Sequence, residues 1–109
     1  MAAAIESILE MSGYSARTAA NGIEALRIMK GWVPDLIIAD ILMPEMDGYT
    51  FYQEVQNRVE WCLIPFIFLT SMAEREDIKR GHDLGVNSYI TKPFDPEGLL
   101  EAVRMELER

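Results

Sequence analysis

The chain has 109 residues, a length that allows one domain with a hydrophobic core of its own. Half of the residues are hydrophobic and 26% are charged, which is the composition of a folded globular protein and excludes a disordered or collagen-like chain. The 18 acidic residues outnumber the 10 basic ones and give a net charge of -8, so we expect no direct binding to nucleic acid or to an anionic membrane surface.

Cysteine content and apolar runs exclude two further classes of protein. The single cysteine, Cys62, excludes an internal disulfide and a multi-cysteine metal site, and its predicted role is packing. The sequence contains no run of about 18 apolar residues, and its first residues lack a signal-peptide pattern. We therefore expect a cytoplasmic protein without a membrane span.

The first half of the chain alternates between helical and extended patterns. Residues 5–9 place apolar side chains on one helical face, and Gly13 is a predicted helix stop. The alternation at residues 14–18 predicts a short strand, and a second helix is predicted to begin at Asn21. The continuous apolar run at 36–39 predicts a strand that is buried on both faces.

The second half of the chain repeats this alternation. It predicts a helix at about 49–58, a strand at 66–69, a polar helix at 74–84, a strand at 88–91 and a last helix with an N-cap at Asp95 and a first-turn proline at Pro96. Strands that alternate with helices predict an α/β fold with a parallel sheet and right-handed crossovers. In such sheets ligands bind at the carboxyl ends of the strands.

Three of the predicted strands end in polar residues of complementary chemistry. The run at 36–39 is followed by Asp40, the run at 66–69 by Thr70, and the last strand by Lys92. Taken singly, these would be a cap, a strand residue and a solvated amine. At one edge of a parallel sheet, however, a carboxylate, a hydroxyl and a cation would suit a phosphoryl group.

Three sequence segments resemble the response regulator receiver domain family. DILMPEMDG, which starts at Asp40, resembles the phosphoacceptor loop of that family. FLTS resembles the strand that ends in a hydroxyl, here Thr70, and YITKPF resembles the switch aromatic, here Tyr89, followed by the family's lysine, here Lys92. The resemblance implies a flavodoxin-like doubly wound parallel sheet, the receiver fold, with one receiver domain over residues 1–109.

The resemblance also implies a reaction and a switch. Asp40 would take a phosphoryl group from a sensor histidine kinase or a phosphotransfer protein. Mg²⁺ would bind Asp40 and the backbone carbonyl of Leu42. Lys92 and the hydroxyl of Thr70 would each bind a phosphoryl oxygen, and Tyr89 would turn inward. These movements would change a partner-binding face formed by the last strand and the last two helices.

Further expectations about partners and activity follow from the same resemblance. An output domain, or a homodimer formed through the last two helices, would read the switch. We expect no enzyme acting on a free substrate, but at most a module that phosphorylates itself from a donor and slowly removes its own phosphoryl group. The alternative is a phosphorylation-independent pseudo-receiver that acts as a protein-interaction module. A phosphatase or flavin carrier is disfavoured because no glycine-rich phosphate loop is present.

The sequence departs from the family at its beginning. Receiver domains begin with an apolar strand that ends in two acidic metal ligands, whereas this chain starts at the helix that follows it. Glu6 and Glu10 fall inside the predicted helix. We therefore expect the remaining acidic ligands to be absent from the chain and Mg²⁺ binding to be weakened or lost. We favour a fragment of a longer receiver. Two alternatives stay open: another copy of the chain fills the gap, or the strands predicted at 14–18 and 36–39 pair directly with each other.

Overall fold

The computed structural model describes residues 2–41, 45–70, 89–91 and 94–108. Over these residues it contains α1 (Ala2–Met11), α2 (Gly22–Met29), β1 (Ile37–Asp40), α3 (Gly48–Gln56), β2 (Phe66–Thr70), β3 (Tyr89–Thr91) and α4 (Pro96–Leu107). The predicted helix at 74–84 lies outside the described residues. The alternating α/β order is otherwise that predicted, with one exception at residues 14–18.

The three strands form a parallel sheet in the order β1-β2-β3. In the register of this sheet Asp40 is level with Leu69, and Thr70 is level with Thr91. All five residues of β2 are buried, as expected for a strand with neighbours on both edges and helices on both faces. The predicted parallel sheet is therefore confirmed for these strands.

Alternate side chains of β2 build two separate hydrophobic cores. Phe66 and Phe68 point to one face and pack with residues of α2 and α3, among them Met29 and Phe51. The other face has a second set of buried residues, which come from β2, α1 and α4: Ile67, Leu69, Ile5, Leu99 and Val103. The sheet thus lies between two helical layers, because neighbouring residues of a strand face opposite ways.

The ends of three helices follow the predicted local chemistry. The Asn21 side chain accepts a hydrogen bond from the Glu24 N–H at 2.8 Å, and Asp95 accepts one from the Glu97 N–H at 2.9 Å. Gly13, at φ +94°, ends α1 in the left-handed conformation that favours glycine. These caps fix where α1 stops and where α2 and α4 begin.

The predicted strand at residues 14–18 is wrong. This segment has no regular secondary structure and makes no ladder with the described strands. A groove of about 650 Å³ has residues 13–19 on one side and residues 34–40 on the other. A strand needs a hydrogen-bonded neighbour, and the groove keeps this segment away from β1. Direct pairing of the segment at 14–18 with the strand at 36–39 is therefore not adopted in the described part of the chain.

Contacts outside the sheet hold the 14–18 segment in place. The Tyr14 N–H donates to the Leu9 carbonyl at 3.0 Å, and the Arg17 guanidinium lies over the Trp32 ring, 5.0 Å from its centroid. A guanidinium over an indole face is an attractive cation–π contact. The segment is thereby fixed to the end of α1 and to the loop that follows α2.

The groove predicts uneven hydrogen exchange along β1. The N–H groups of Ile37 and Ile41 donate to carbonyls of Pro65 and Leu69 at 3.0 and 3.2 Å, so the intervening Ile38 directs its N–H towards the groove. We expect the Ile38 amide, measured by NMR and corrected for intrinsic rates, to exchange about tenfold faster than the other two. Equal protection of all three amides would show that another segment pairs with this edge.

Candidate functional site

The carboxyl edge of the sheet brings together two of the predicted site residues. Asp40 is the last residue of β1, and Thr70 is the last residue of the adjacent strand β2, one position beyond the level of Asp40. Strands about 4.8 Å apart with a rise of about 3.3 Å per residue put their two Cα atoms roughly 6 Å apart. A carboxylate and a hydroxyl are therefore presented at the same edge of the molecule.

Asp40 and Thr70 differ in burial. Thr70 is only 1% exposed, whereas Asp40 is half-buried with its Oδ1 atom shielded from solvent. Along the strands, Asp40 continues the side of Ile38, and Thr70 continues the side of Phe68. A ligand that reaches both groups must therefore sit beyond the ends of the strands, where alternation no longer separates them.

The other predicted site residues are only partly covered by the structure. Tyr89 is the first residue of β3, level with Phe68. Lys92, and Leu42 with its backbone carbonyl, lie outside the described residues. Of the three groups that were predicted to lie together, the structure therefore describes two, the carboxylate of Asp40 and the hydroxyl of Thr70.

The loop after β1 returns to the site through Gly48. The N–H of Gly48 donates to the Ile41 carbonyl at 2.7 Å. A Cβ atom at Gly48 would collide with the Asp40 carbonyl oxygen and lie 2.9 Å from both Ile41 Cα and a ring carbon of Phe68. Asp47 caps α3, since its side chain accepts from the Thr50 N–H at 2.8 Å. The helix predicted at about 49–58 therefore begins at Gly48, directly after this cap.

Glu45, in the same loop, has a strained backbone. Its φ of +66° lies in the left-handed region, where a side chain other than glycine costs about 1–2 kcal/mol. The side chain is exposed. Strained backbones of this kind cluster at ligand and switch sites, where the surrounding structure holds them.

A pair of tyrosine hydroxyls lies behind the edge. The hydroxyl oxygens of Tyr49 and Tyr89 are 3.1 Å apart, within hydrogen-bond distance. Burial raises the pKa of Tyr89, the hydrogen bond from Tyr49 lowers that pKa, and Tyr52 raises it. Because the net shift is upward from the ordinary value near 10, the Tyr89 hydroxyl is neutral around pH 7. Sequence reasoning missed Tyr49, whose spacing on α3 marks it only as a core residue.

The described residues do not by themselves form a divalent-cation site. No group of three His, Cys, Asp or Glu side chains that could hold a metal occurs in the described ranges. Glu6 lines the groove, as Asp40 does, while Glu10 is exposed. Asp40 is the carboxylate that these ranges place at the end of a strand of the sheet. An octahedral Mg²⁺ site would need further oxygen ligands.

Comparison with known proteins assigns the family. The family model for the response regulator receiver domain matches residues 1–104. The chain therefore belongs to the response regulator receiver domain family and is a receiver domain of two-component signalling. It is 38% identical over 101 residues to the DNA-binding dual master transcriptional regulator RpaA of Synechocystis, a match that covers 93% of this chain and 42% of that protein. The chain thus spans less than half the length of this relative.

Solved structures with the same fold confirm the predicted architecture. The receiver domain of a signal transduction histidine kinase from Syntrophus aciditrophicus has a TM-score of 0.90 and 37% identity, over 98% of this chain and 81% of that one. The receiver domain of a sensor histidine kinase from Pseudomonas aeruginosa has a TM-score of 0.88 and 29% identity, over 98% and 88% of the two chains. That second structure has a magnesium ion coordinated in its active-site cleft. Receiver domains in general bind Mg²⁺ in this site.

The helices of the described ranges have between 8 and 12 residues. Among those residues, no helix is both long and apolar enough to cross a bilayer.

The close approach at Gly48 predicts a position-specific loss of stability. We expect Gly48→Ala to lower the free energy of unfolding by about 1–3 kcal/mol, since the added methyl group must displace backbone. Gly31 has open space around its Cβ position, so Gly31→Ala is the matched control and should change stability by less than about 0.5 kcal/mol. Urea denaturation of both variants measures the difference, and equal effects would contradict the predicted contact.

The strain at Glu45 predicts a stabilising substitution. We expect Glu45→Gly to raise the free energy of unfolding by about 1 kcal/mol, because glycine adopts a positive φ readily. Glu54 is equally exposed but lies within α3, where a glycine should lower stability by about 1 kcal/mol. Opposite signs in thermal denaturation are therefore expected. A loss of stability with both substitutions would show that Glu45 is not strained.

Proposed function

We propose that Asp40 is the phosphoacceptor of this receiver domain and that Thr70 and Lys92 bind the transferred phosphoryl group. The observation that carries the proposal is the placement of Asp40 and Thr70 at one edge of the sheet, on adjacent parallel strands. Membership of the receiver family supports it. The groups suit the chemistry, since a carboxylate can attack phosphorus while a hydroxyl and an amine neutralise and orient the phosphoryl oxygens.

The proposed reaction transfers one phosphoryl group to Asp40 and is balanced in atoms and charge. A carboxylate oxygen of Asp40 attacks the phosphorus of a phosphohistidine on a sensor histidine kinase or a phosphotransfer protein. The P–N bond breaks, its electron pair stays on the histidine, and an acyl phosphate forms on Asp40. Water later attacks the phosphorus, the P–O bond to Asp40 breaks, and the carboxylate is restored as inorganic phosphate and a proton are released. The chain is thus proposed to act on its own phosphoryl group and not as an enzyme with a free substrate.

We propose two consequences of phosphorylation for the surface. Thr70 would move to the phosphoryl group and free space for Tyr89 to turn inward, so that the face predicted from residues 74–84 and 89–109 is altered. Either an output domain or a second copy of the chain would bind this face. The relative RpaA is named as a DNA-binding transcriptional regulator, which favours a DNA-binding output domain as the reader.

Mg²⁺ is the proposed cofactor, with further ligands required beyond the described residues. The magnesium-bound receiver domain from Pseudomonas aeruginosa supports the choice of ion. We therefore propose that Mg²⁺ affinity is weak unless additional acidic oxygens reach Asp40.

Phosphoryl uptake tests the proposal directly. Incubation with acetyl phosphate and Mg²⁺ should add one phosphoryl group, seen by intact-protein mass spectrometry, and Asp40→Asn should abolish it. Asp35→Asn is the matched control, because Asp35 is an exposed acid just before β1, and its uptake should equal that of the unsubstituted protein. Uptake by Asp40→Asn, or equal loss in both variants, would contradict the assignment.

A second candidate function is a pseudo-receiver that docks partners without phosphorylation. The lack of a three-carboxylate group in the described ranges favours it. In that case neither the chain nor a version extended by an apolar strand ending in two acids would take up a phosphoryl group. A flavin carrier on the same fold is a further alternative, which yellow colour and flavin absorbance of the purified protein would reveal.

A further inference from the structure

Tyr49 is a buried aromatic residue at the start of α3, next to the glycine that contacts the Asp40 loop. Its side chain is 0% exposed, and its ring meets the edge of Phe68 with centroids 5.1 Å apart. Its hydroxyl nevertheless lies 3.1 Å from the hydroxyl of Tyr89 on β3. A hydrogen bond between two phenol hydroxyls restrains the orientation of a ring as well as its packing, because a hydrogen bond depends on direction as well as distance.

The ring of Tyr89 is held in what we call its packed position. In this position its centroid is 6.2 Å from that of Phe68, the residue is half-buried, and its hydroxyl meets that of Tyr49. Tyr89 is near the edge of the core rather than at its centre, since it is only half-buried whereas its neighbour in register, Phe68, is fully buried. A tyrosine in such a place can leave the core by rotation about χ1 if its polar end is released.

A short chain of contacts joins Asp40 to this pair of hydroxyls. The Asp40 carbonyl and Ile41 pack against Gly48, and the Gly48 N–H donates to the Ile41 carbonyl at 2.7 Å. Tyr49 follows Gly48 in the first turn of α3. A shift of the backbone after Asp40 would therefore be passed to Tyr49 through backbone contacts. This connection runs through the start of α3.

We propose that Tyr49 is a positioning residue for Tyr89: the hydrogen bond between their hydroxyls holds the Tyr89 ring in the packed position and links it to the Asp40 loop. The proposal rests on the proposed function only in taking Tyr89 as a switch residue. The Tyr89 hydroxyl is protonated at neutral pH, since the ordinary tyrosine pKa lies near 10 and burial raises the pKa of Tyr89 further. Removal of one hydroxyl should therefore release the ring while leaving the apolar packing in place.

The first experiment measures the rotamer of Tyr89 in the full chain without phosphoryl donor. Three-bond NMR couplings of isotope-labelled tyrosine report the ratio of exposed to packed χ1 rotamers. We expect Tyr49→Phe to raise this ratio by about 2- to 12-fold, the range that corresponds to one net hydrogen bond. Tyr52→Phe is the matched control, since its ring packs on Phe66 and Phe68 at 5.0 and 6.0 Å, and it should leave the ratio unchanged.

A double substitution separates positioning from a general loss of packing. Tyr89→Phe removes the same hydrogen bond from its other end and should raise the ratio for the ring at position 89 by a similar factor. The pair Tyr49→Phe with Tyr89→Phe should then show no further increase, because the two changes remove one shared interaction. If Tyr49→Phe fails to fold, Tyr89→Phe alone still decides the matter: an unchanged rotamer ratio would overturn the proposal.

A second experiment asks whether the link reaches Asp40. On treatment with acetyl phosphate and Mg²⁺, Tyr49→Phe should take up the phosphoryl group as the unsubstituted protein does, but should lose most of the accompanying change in the Tyr89 rotamer ratio. An identical change in both proteins would overturn the link. If the unsubstituted protein takes up no phosphoryl group, the proposed function fails, and the rotamer comparison made without donor still decides the role of Tyr49.

Discussion

The parallel pairing of β1 with β2 is the constraint on which the rest of the structure depends. It places Asp40 level with Leu69, so that Thr70 emerges one residue further at the same edge. A shift of one residue in this register would send the side chains of β2 to the wrong helical layers. The two cores, which take Phe66 and Phe68 on one face and Ile67 and Leu69 on the other, therefore fix the geometry of the site as well as the fold.

The absence of a side chain at Gly48 connects this sheet edge to the helical layer. Because Gly48 lies against the Asp40 carbonyl and Ile41, α3 begins directly behind the site. The helix then delivers Tyr49 to Phe68 and to the hydroxyl of Tyr89. Packing at one backbone position thus places the loop after Asp40 in contact with the helix that carries Tyr49, which is the route of the coupling that we propose between Asp40 and Tyr89.

Local signals in the sequence predicted the fold where they agreed with the tertiary environment. The apolar run at 66–69 is a strand with both faces covered, whereas the run at 36–39 is a strand in which only Ala39 is buried, so its predicted burial on both faces is wrong. Asn21 and Asp95 cap helices because short polar side chains satisfy free N–H groups. The segment at 14–18 has the alternation of a strand but lacks a neighbour, so its propensity is not realised. The hydroxyl contact of Tyr49 arises only from folding, and no sequence pattern could predict it. The placement of Lys92 and Leu42 stays a prediction.

Chemical trapping of the acyl phosphate tests the central claim that this sheet edge handles a phosphoryl group on Asp40. Borohydride reduces an aspartyl phosphate to homoserine, and peptide mass spectrometry locates the modified residue. After treatment with acetyl phosphate and Mg²⁺, homoserine should appear at position 40 and at no other aspartate of the chain. Homoserine at Asp35, Asp47 or another position, with Asp40 intact, would contradict the account.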